Sequence, residues 1–467
     1  MSKRLRIDSA RLGRVAAVCG VVLIIVIGLG DLYYSLAPID YAKQLARVLV
    51  TPVLALAYRQ DSRQAAKIAD SYSVGFKDAS VLSVRQSWQA VEGALPGFHL
   101  LREGGSERSA GRIPFVYEDT NSAHLRKFRD KYRLDFVIAG APDEYQAMLR
   151  LGGWLGTRWD HGTDEVPGGR EVCDPSAVIA AGGQGARFWC EIASRTAVQA
   201  ANSLGWISRL ITLSGDGYTW EHAVAELWSN QFNKWFVLDT DFNVVYEQAG
   251  IPLSAFELMN QGEALAKSGR LTVRSIASKK PSLPYRDLLP FYRYIHVDLR
   301  SDWCTRRLRP GSPANGDRNT WWTAQPTFHR ILTAMPRVDD VALFNWPVND
   351  VQIYLVGAKR VAPEQLQLKV AFSAYSPTFK SFEMSLDQTP WASVQGAGAT
   401  LQLPLGRHVL RVRCVTAAGW TGPTSDVEFE YSPLANTSVE VVIKQEPFAD
   451  WFNHMDGQPA KSMGNKS

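Results

Sequence analysis

The sequence predicts an α+β fold class in three parts: an N-terminal transmembrane helix, a domain of mixed helices and strands, and a C-terminal β-sandwich. Three observations predict it. An uncharged apolar run follows a basic N-terminal cluster, a helix-periodic segment precedes two alternating segments in mid-chain, and short alternating segments follow from about residue 338. The chain has 467 residues, 46% hydrophobic and 21% charged, which suits two or three globular domains.

The basic cluster predicts membrane topology. Residues 1–14 contain five basic residues and one acidic residue, so they carry four of the five net positive charges. The rest of the chain is nearly neutral, which argues against a nucleic-acid partner and favours a basic cytoplasmic tail.

The apolar run VAAVCGVVLIIVIGLG follows directly, at residues 15–30. As a helix it spans about 24 Å, and extension to Leu36 gives about 33 Å, enough for a hydrocarbon core of roughly 30 Å. The alternative is a cleaved signal peptide ending at Ala37, but Pro38 would obstruct cleavage. We therefore expect a single-pass anchor at 15–37 in the cell membrane, an N-terminus in the cytoplasm and extracytoplasmic (periplasmic) soluble domains.

Residues 38–110 are expected to form a juxtamembrane helical region, in which SVLSVRQSWQAV has the pattern of an amphipathic helix. Beyond it, GRIPFVYED and YRLDFVIAG predict strands on either side of the polar helix HLRKFRDKY.

The stretch from Gly185 to Asp239 carries the chemistry. Cys190 stands at the head of a segment whose apolar residues recur at helical spacing, and Gly205 provides a stop signal. A thiol in the first turn of a helix lies beside unsatisfied N–H groups and the positive end of the helix dipole, which favour thiolate over thiol. The sequence thus predicts a nucleophile at Cys190.

Two alternating segments follow the helix. Residues 221–228 predict a strand that carries His222, residues 235–239 predict a second strand that ends on Asp239, and SNQFN between them predicts a hairpin turn. A thiol, an imidazole and a carboxylate on neighbouring elements form the nucleophile, base and orienting group of a catalytic triad. Asp241, two residues further on, competes with Asp239 for the orienting role.

These elements resemble the transglutaminase-like superfamily, a branch of the papain-like cysteine enzymes. The resemblance rests on the segments FWCEIA, LGWISRLI, HAVAELW and WFVLD and covers roughly residues 140 to 260. Three residues depart from the usual pattern: Trp189, Val224 and Thr240. The resemblance implies a transglutaminase-like (papain-like) catalytic domain and a cysteine-dependent amide hydrolase (protease-like) or acyltransferase that cleaves or transfers an amide or peptide acyl group. The alternative is a non-catalytic envelope scaffold that uses the same fold to bind polysaccharide or protein.

Gln184 lies six residues before Cys190, the offset at which papain-like enzymes place an oxyanion-stabilising glutamine. A plain loop glutamine is the alternative. Gln184 belongs to a long glycine-rich connection, residues 161–185, and a connection of this length in a compact domain is usually functional. We expect it to border the active-site cleft.

The remaining boundaries follow from changes in pattern. The transglutaminase-like domain is expected at 111–266, a connector rich in Pro, Arg and Trp at 267–335, an immunoglobulin- or fibronectin III-like β-sandwich at 338–433, and a polar tail at 434–467.

The other cysteines and the ligand signals add little chemistry. Cys19 lies in the predicted anchor, and the pairing of Cys173, Cys304 and Cys414 is open. We expect no metal and no cofactor, because the sequence has neither HExxH nor Cys-x-x-Cys and its glycine-rich AAGGQGARF lacks a phosphate-loop ending. The expected partners are a protein or peptide substrate, an envelope glycan or protein, and the membrane.

Overall fold

The computed structural model describes residues 63–75, 83–104, 113–167, 174–217, 219–277, 288–305, 320–327 and 337–432. Helices account for 29% and strands for 37% of the described residues, and the strands belong to several separate sheets. The α+β class predicted from sequence is therefore confirmed.

The helices concentrate in the first half of the described chain. Several have side-chain caps that their sequences encode: for example, Ser83 and Gln86 form a reciprocal capping box at one N-terminus, and Asp143 caps another. The helical segments are α1 (63–70), α2 (Val84–Ala94), α3 (Ala123–Tyr132), α4 (Leu134–Ile138), α5 (Glu144–Leu155), α6 (Pro175–Gly182), α7 (Cys190–Ser203), α8 (Ala255–Glu257), a π-helical turn (Leu258–Gly262), α9 (Glu263–Lys267) and 3₁₀ turns at Leu289–Arg293 and Val341–Leu343.

The strands fall into short ones around the central part of the chain and longer ones towards the C-terminal end. They are β1 (Ser73–Gly75), β2 (Phe98–Glu103), β3 (Asp160–His161), β4 (Arg187–Phe188), β5 (Ser208–Ser214), β6 (His222–Ser229), β7 (Lys234–Leu238), β8 (Val244–Gln248), β9 (Ile251–Pro252), β10 (Thr272–Ser275), β11 (Tyr294–Asp298), β12 (Thr320–Ala324), β13 (Val351–Ala362), β14 (Gln365–Tyr375), β15 (Phe379–Leu386), β16 (Ala392–Val394), β17 (Gly398–Pro404), β18 (Gly406–Thr416) and β19 (Ser425–Tyr431).

A five-stranded antiparallel sheet of order β12-β11-β5-β6-β7 forms the centre of the structure. Alternation along β6 divides its side chains between two hydrophobic clusters: Ala223 and Ala225 lie in the cluster that includes α7, and Val224 and Trp228 lie in the other. The sheet is therefore covered on both faces. The small alanines let α7 pack close to the strand that carries His222.

An ion pair is buried inside this sheet. Arg209 on β5 donates from Nε to Glu226 on β6 at 2.7 Å, and both side chains are almost completely excluded from solvent. The guanidinium lies 4.1 Å from the ring centroid of Trp235 and 4.4 Å from that of Trp346. Cation–π contacts and the carboxylate together compensate the buried charge.

The longer strands form two further sheets that share one hydrophobic core. One has the order β1-β14-β13 with β17 also paired to β14, and the other has the order β16-β15-β18-β19-β2. The region predicted as juxtamembrane thus contributes β1 and β2 to these sheets, and its helix α2 packs in their shared core, where Trp88 donates to the carbonyl of Ile353 at 2.8 Å. Likewise, β11 and β12 from the predicted connector belong to the central sheet.

Two local predictions are wrong. The segment GRIPFVYED was expected to be a strand, but in its described part, residues 113–119, only Val116 pairs, in an isolated bridge with Arg300. The segment YRLDFVIAG was expected to be a strand, but residues 134–138 form α4. Arg133, at φ +50°, ends α3 in the left-handed conformation, and the chain resumes as a helix that buries Leu134. Packing against the neighbouring helices overrides the β-propensity of Phe, Val and Ile here. By contrast, the predicted helices HLRKFRDKY and SVLSVRQSWQAV are confirmed as α3 and α2.

Among the described residues, no helix is long and apolar enough to cross a membrane. The predicted basic tail, the anchor at 15–37 and the polar tail at 434–467 lie outside the described residues.

Candidate functional site

Cys190 occupies the first position of α7, as the sequence predicts. The N-cap residue is Trp189, whose indole has no oxygen that could accept from the first N–H groups of the helix. The N–H of Ile192 donates to the carbonyl of Trp189 at 3.1 Å, and the N–H groups of Cys190 and Glu191 before it have no acceptor within the helix itself. Cys190 is half-buried, so its thiol lies at an accessible helix N-terminus.

The hairpin of β6 and β7 positions the other two predicted residues. His222 begins β6, and Asp239 follows the last residue of β7, so the predicted strands and the antiparallel hairpin are confirmed. Asp239 is held further by a backbone bridge with Val244, at 3.1 and 3.0 Å. Its Oδ1 accepts from the N–H groups of Asp241 (3.1 Å) and Phe242 (3.0 Å), which fixes the direction of the carboxylate.

Two hydrogen bonds fasten the cysteine helix to the elements that carry its partners. Ser194 Oγ donates to the carbonyl of Ala223, next to His222, at 2.8 Å. Thr240 Oγ1, next to Asp239, donates to the carbonyl of Ala193 at 3.3 Å. The relative placement of the three residues is therefore set by the backbone packing around them.

The structure brings Cys190, His222 and Asp239 together. Asp239 Oδ2 lies 2.8 Å from Nε2 of His222, and the sulfur of Cys190 lies within 4.8 Å of a ring nitrogen of His222. Because Nε2 is engaged with Asp239, Nδ1 is the nitrogen available to the sulfur. The ring centroid of His222 lies 4.9 Å from that of Phe242. The side chain of His222 is only 2% exposed, and that of Asp239 is fully buried.

Charge determines the protonation of His222. Burial by itself would lower the pKa of the ring, but the negative charge and hydrogen bond of Asp239, together with the hydrogen bond and charge of Cys190, raise it to about 10. At neutral pH the ring is therefore an imidazolium held between a carboxylate and a sulfur. This is the state that stabilises a thiolate nucleophile.

Sequence reasoning missed a second histidine. His161, on β3, contacts Asp241 through Nδ1 at 2.9 Å, and a carboxylate oxygen of Asp241 lies within 4.8 Å of both the Cys190 sulfur and a His222 ring nitrogen. Burial and the charge of Asp239 raise the pKa of Asp241, against the hydrogen bond with His161. The only local signal was the position of His161 at the start of the 161–185 connection, and at that residue the connection contacts Asp241.

The other predicted residues lie elsewhere. Gln184 is exposed in the turn that follows α6, and its oxyanion role stays a prediction. Cys173 lies outside the described residues. Cys304 donates to the side chain of Gln199 at 3.0 Å, and Cys414 is fully buried and donates to a backbone carbonyl. Burial raises the pKa of Cys414 to about 12.

Cys190, His222 and Asp241 also offer one sulfur, one nitrogen and one oxygen donor within 4.8 Å of one another. Donors of these types and at this spacing are compatible with a divalent cation such as Zn²⁺. The same sulfur cannot be a free nucleophile and a metal ligand at once, so chelation experiments distinguish the two uses.

No protein-family model and no curated protein significantly matches this sequence.

Proposed function

We propose that this protein is a cysteine-dependent enzyme of the transglutaminase-like type, acting on an amide or peptide acyl group. The observation that carries the proposal is the convergence of Cys190, His222 and Asp239 from a helix start, a strand start and a strand end. Nucleophile, proton donor and orienting carboxylate are the three roles that acyl chemistry on an amide requires. The order of the triad along the chain and the segments around it support the transglutaminase-like assignment.

The first step is acylation of the cysteine. The Cys190 thiolate attacks the carbonyl carbon and forms an S–C bond, and the oxyanion is stabilised by N–H groups at the start of α7. The imidazolium of His222 donates its proton to the leaving amine as the C–N bond breaks. Asp239 holds the ring in the orientation for this transfer, and a thioester and a neutral His222 result.

The second step, deacylation, regenerates the free enzyme. Water attacks the thioester to give a carboxylic acid, or a second amine attacks to give a new amide. In either case the acceptor loses a proton to a base and His222 regains one through solvent, while the C–S bond breaks and its electron pair restores the Cys190 thiolate. Because hydrolysis needs no second substrate, a protease-like amidase is the simpler form of the proposal.

Thiol reactivity tests the proposal without a known substrate. Iodoacetamide at about pH 6 is expected to alkylate Cys190 at least roughly tenfold faster than Cys304, because a neighbouring imidazolium favours thiolate. Peptide mapping by mass spectrometry reads out each cysteine, and buried Cys414 serves as the unreactive reference. Replacing His222 with Gln should remove the advantage of Cys190, whereas His124→Gln, an exposed histidine of α3, should not. Equal reactivity of Cys190 and Cys304 would instead favour the non-catalytic scaffold.

Turnover distinguishes hydrolysis from transfer. Casein incubated with and without a fluorescent primary amine reports new amine-labelled protein or new peptide ends, and Cys190→Ala should abolish whichever is seen. Cys304→Ala is the matched control and should retain it.

In the same proposal the soluble domains lie outside the cytoplasm, held by the anchor at 15–37. The basic residues before the apolar run support this orientation. A reporter that is active only outside the cytoplasm, fused after Ser467, should be active, and activity of a cytoplasm-specific reporter would contradict it.

A further inference from the structure

Two His–Asp pairs, from different elements, each place one member within 4.8 Å of the Cys190 sulfur. His222 and Asp239 come from the hairpin of β6 and β7, and His161 and Asp241 come from β3 and the turn after β7. The triad mechanism uses the first pair and leaves the second without a role. A carboxylate oxygen of Asp241 nevertheless lies within 4.8 Å of the sulfur, as does a ring nitrogen of His222.

The two pairs differ in access to solvent. The side chain of His222 is 2% exposed, whereas that of His161 is 44% exposed, although the carboxylate that each one contacts is buried. Small acceptors such as water or an amine therefore reach the region of the sulfur past His161 more readily than past His222.

The second pair is also held in place. Phe242 packs against both histidines, with its ring centroid 5.8 Å from that of His161 and 4.9 Å from that of His222. The contact of Nδ1 with Asp241 fixes the tautomer of His161 with its proton on Nδ1, since a carboxylate accepts and does not donate. Nε2 of His161 is then a proton acceptor on a half-exposed ring.

We propose that His161 is the base of the second half-reaction and that Asp241 is its positioning residue. Nε2 of His161 takes a proton from the attacking water or amine as the new bond to the thioester carbon forms. The C–S bond breaks, the electron pair returns to Cys190, and His161 releases the proton to solvent. His222, which gave its own proton to the first leaving group, is reprotonated from solvent. This inference rests on the proposed function and adds a division of labour between the two histidines.

Burial supports this division, because His222 is enclosed between Asp239 and Cys190, where it can donate to the leaving group, whereas the half-exposed ring of His161 can exchange its proton with solvent. With His161 as the base for the attacking water or amine, the buried ring of His222 only has to donate a proton to the leaving group and does not also have to accept one from the attacking group.

The test separates acylation from deacylation with 4-nitrophenyl acetate. In stopped-flow measurements the burst of 4-nitrophenolate reports acetylation of Cys190, and the steady state reports loss of the acetyl group. His161→Gln should change the burst rate by less than about twofold and lower the steady-state rate at least tenfold, with acetyl-enzyme accumulating in intact-mass spectra. Asp241→Asn should act in the same direction but more weakly, and His124→Gln should leave both phases unchanged.

Chemical rescue distinguishes a base from a structural residue. Hydroxylamine attacks a thioester without a general base, so it should restore turnover of the His161→Gln protein. Equal slowing of both phases, no change in the steady state, or failure of rescue would overturn the role of His161. If the wild-type protein shows no burst, or a burst that persists in Cys190→Ala, the proposed function itself fails.

Discussion

Replacement of Asp239 by Asn tests how the protonation of His222 is set. The carboxylate lies 2.8 Å from Nε2 of a ring that is 2% exposed. Asparagine keeps the shape but removes the charge, so the desolvation of the ring is no longer offset and the pKa of His222 falls from about 10. Cys190 then loses its cationic neighbour at neutral pH.

The effect on stability has a defined sign. Because the folded-state pKa of His222 is raised above its ordinary value of 6.5, the protonated ring contributes stability that is complete below about pH 6.5 and is lost as the pH rises through about 10. A tenfold change in proton affinity equals about 1.4 kcal/mol, so the ceiling of this contribution is on the order of 5 kcal/mol. In Asp239→Asn most of it should be absent at every pH.

The assay is urea unfolding, followed by circular dichroism, at about pH 6 and about pH 10. The difference between wild type and Asp239→Asn should be largest at the lower pH and shrink at the higher one. The acetylation burst should slow by roughly 10²–10⁴-fold. Asp387→Asn is the matched control, since it removes the carboxylate that lies 2.7 Å from His408, and its burst should equal that of wild type. An unchanged burst in Asp239→Asn, or a difference in stability that does not depend on pH, would refute the reasoning.

Three further outcomes follow from the packing and the donors. Arg209→Met leaves Glu226 charged in the core and should destabilise the protein by about 3–5 kcal/mol, whereas the double variant Arg209→Met/Glu226→Leu should recover much of that loss in urea unfolding; an equally unstable double variant would contradict this. Prior dialysis against EDTA should leave the Cys190 acetylation burst unchanged, because the sulfur acts as a nucleophile, and loss of the burst with recovery on adding Zn²⁺ would favour a metal role. Ala197→Leu overfills the contact between α7 and the central sheet and should cost about 1–3 kcal/mol; a cost near zero, measured by the same unfolding, would show a looser contact.

Much of the candidate site follows from local sequence. The helix that begins at Cys190, the strand that begins at His222 and the hairpin that leads to Asp239 are each encoded within about a dozen residues, by periodicity and turn signals. Such patterns depend on neighbouring residues, so they can be read without the fold. They also gave the class of the structure, α+β.

Only the tertiary structure decided between Asp239 and Asp241. The two residues are two positions apart and would share a face if the strand continued, but the strand ends at Leu238. Asp239 contacts Nε2 of His222, and the turn brings the carboxylate of Asp241 to His161. The same holds for β1 and β2, which join sheets whose other strands lie more than 200 residues later in the chain. Long-range pairing depends on which surfaces meet once the chain has folded, and no local pattern records that. The sequence by itself therefore determined which chemical groups are present and on which elements, and the packing decided which of them meet.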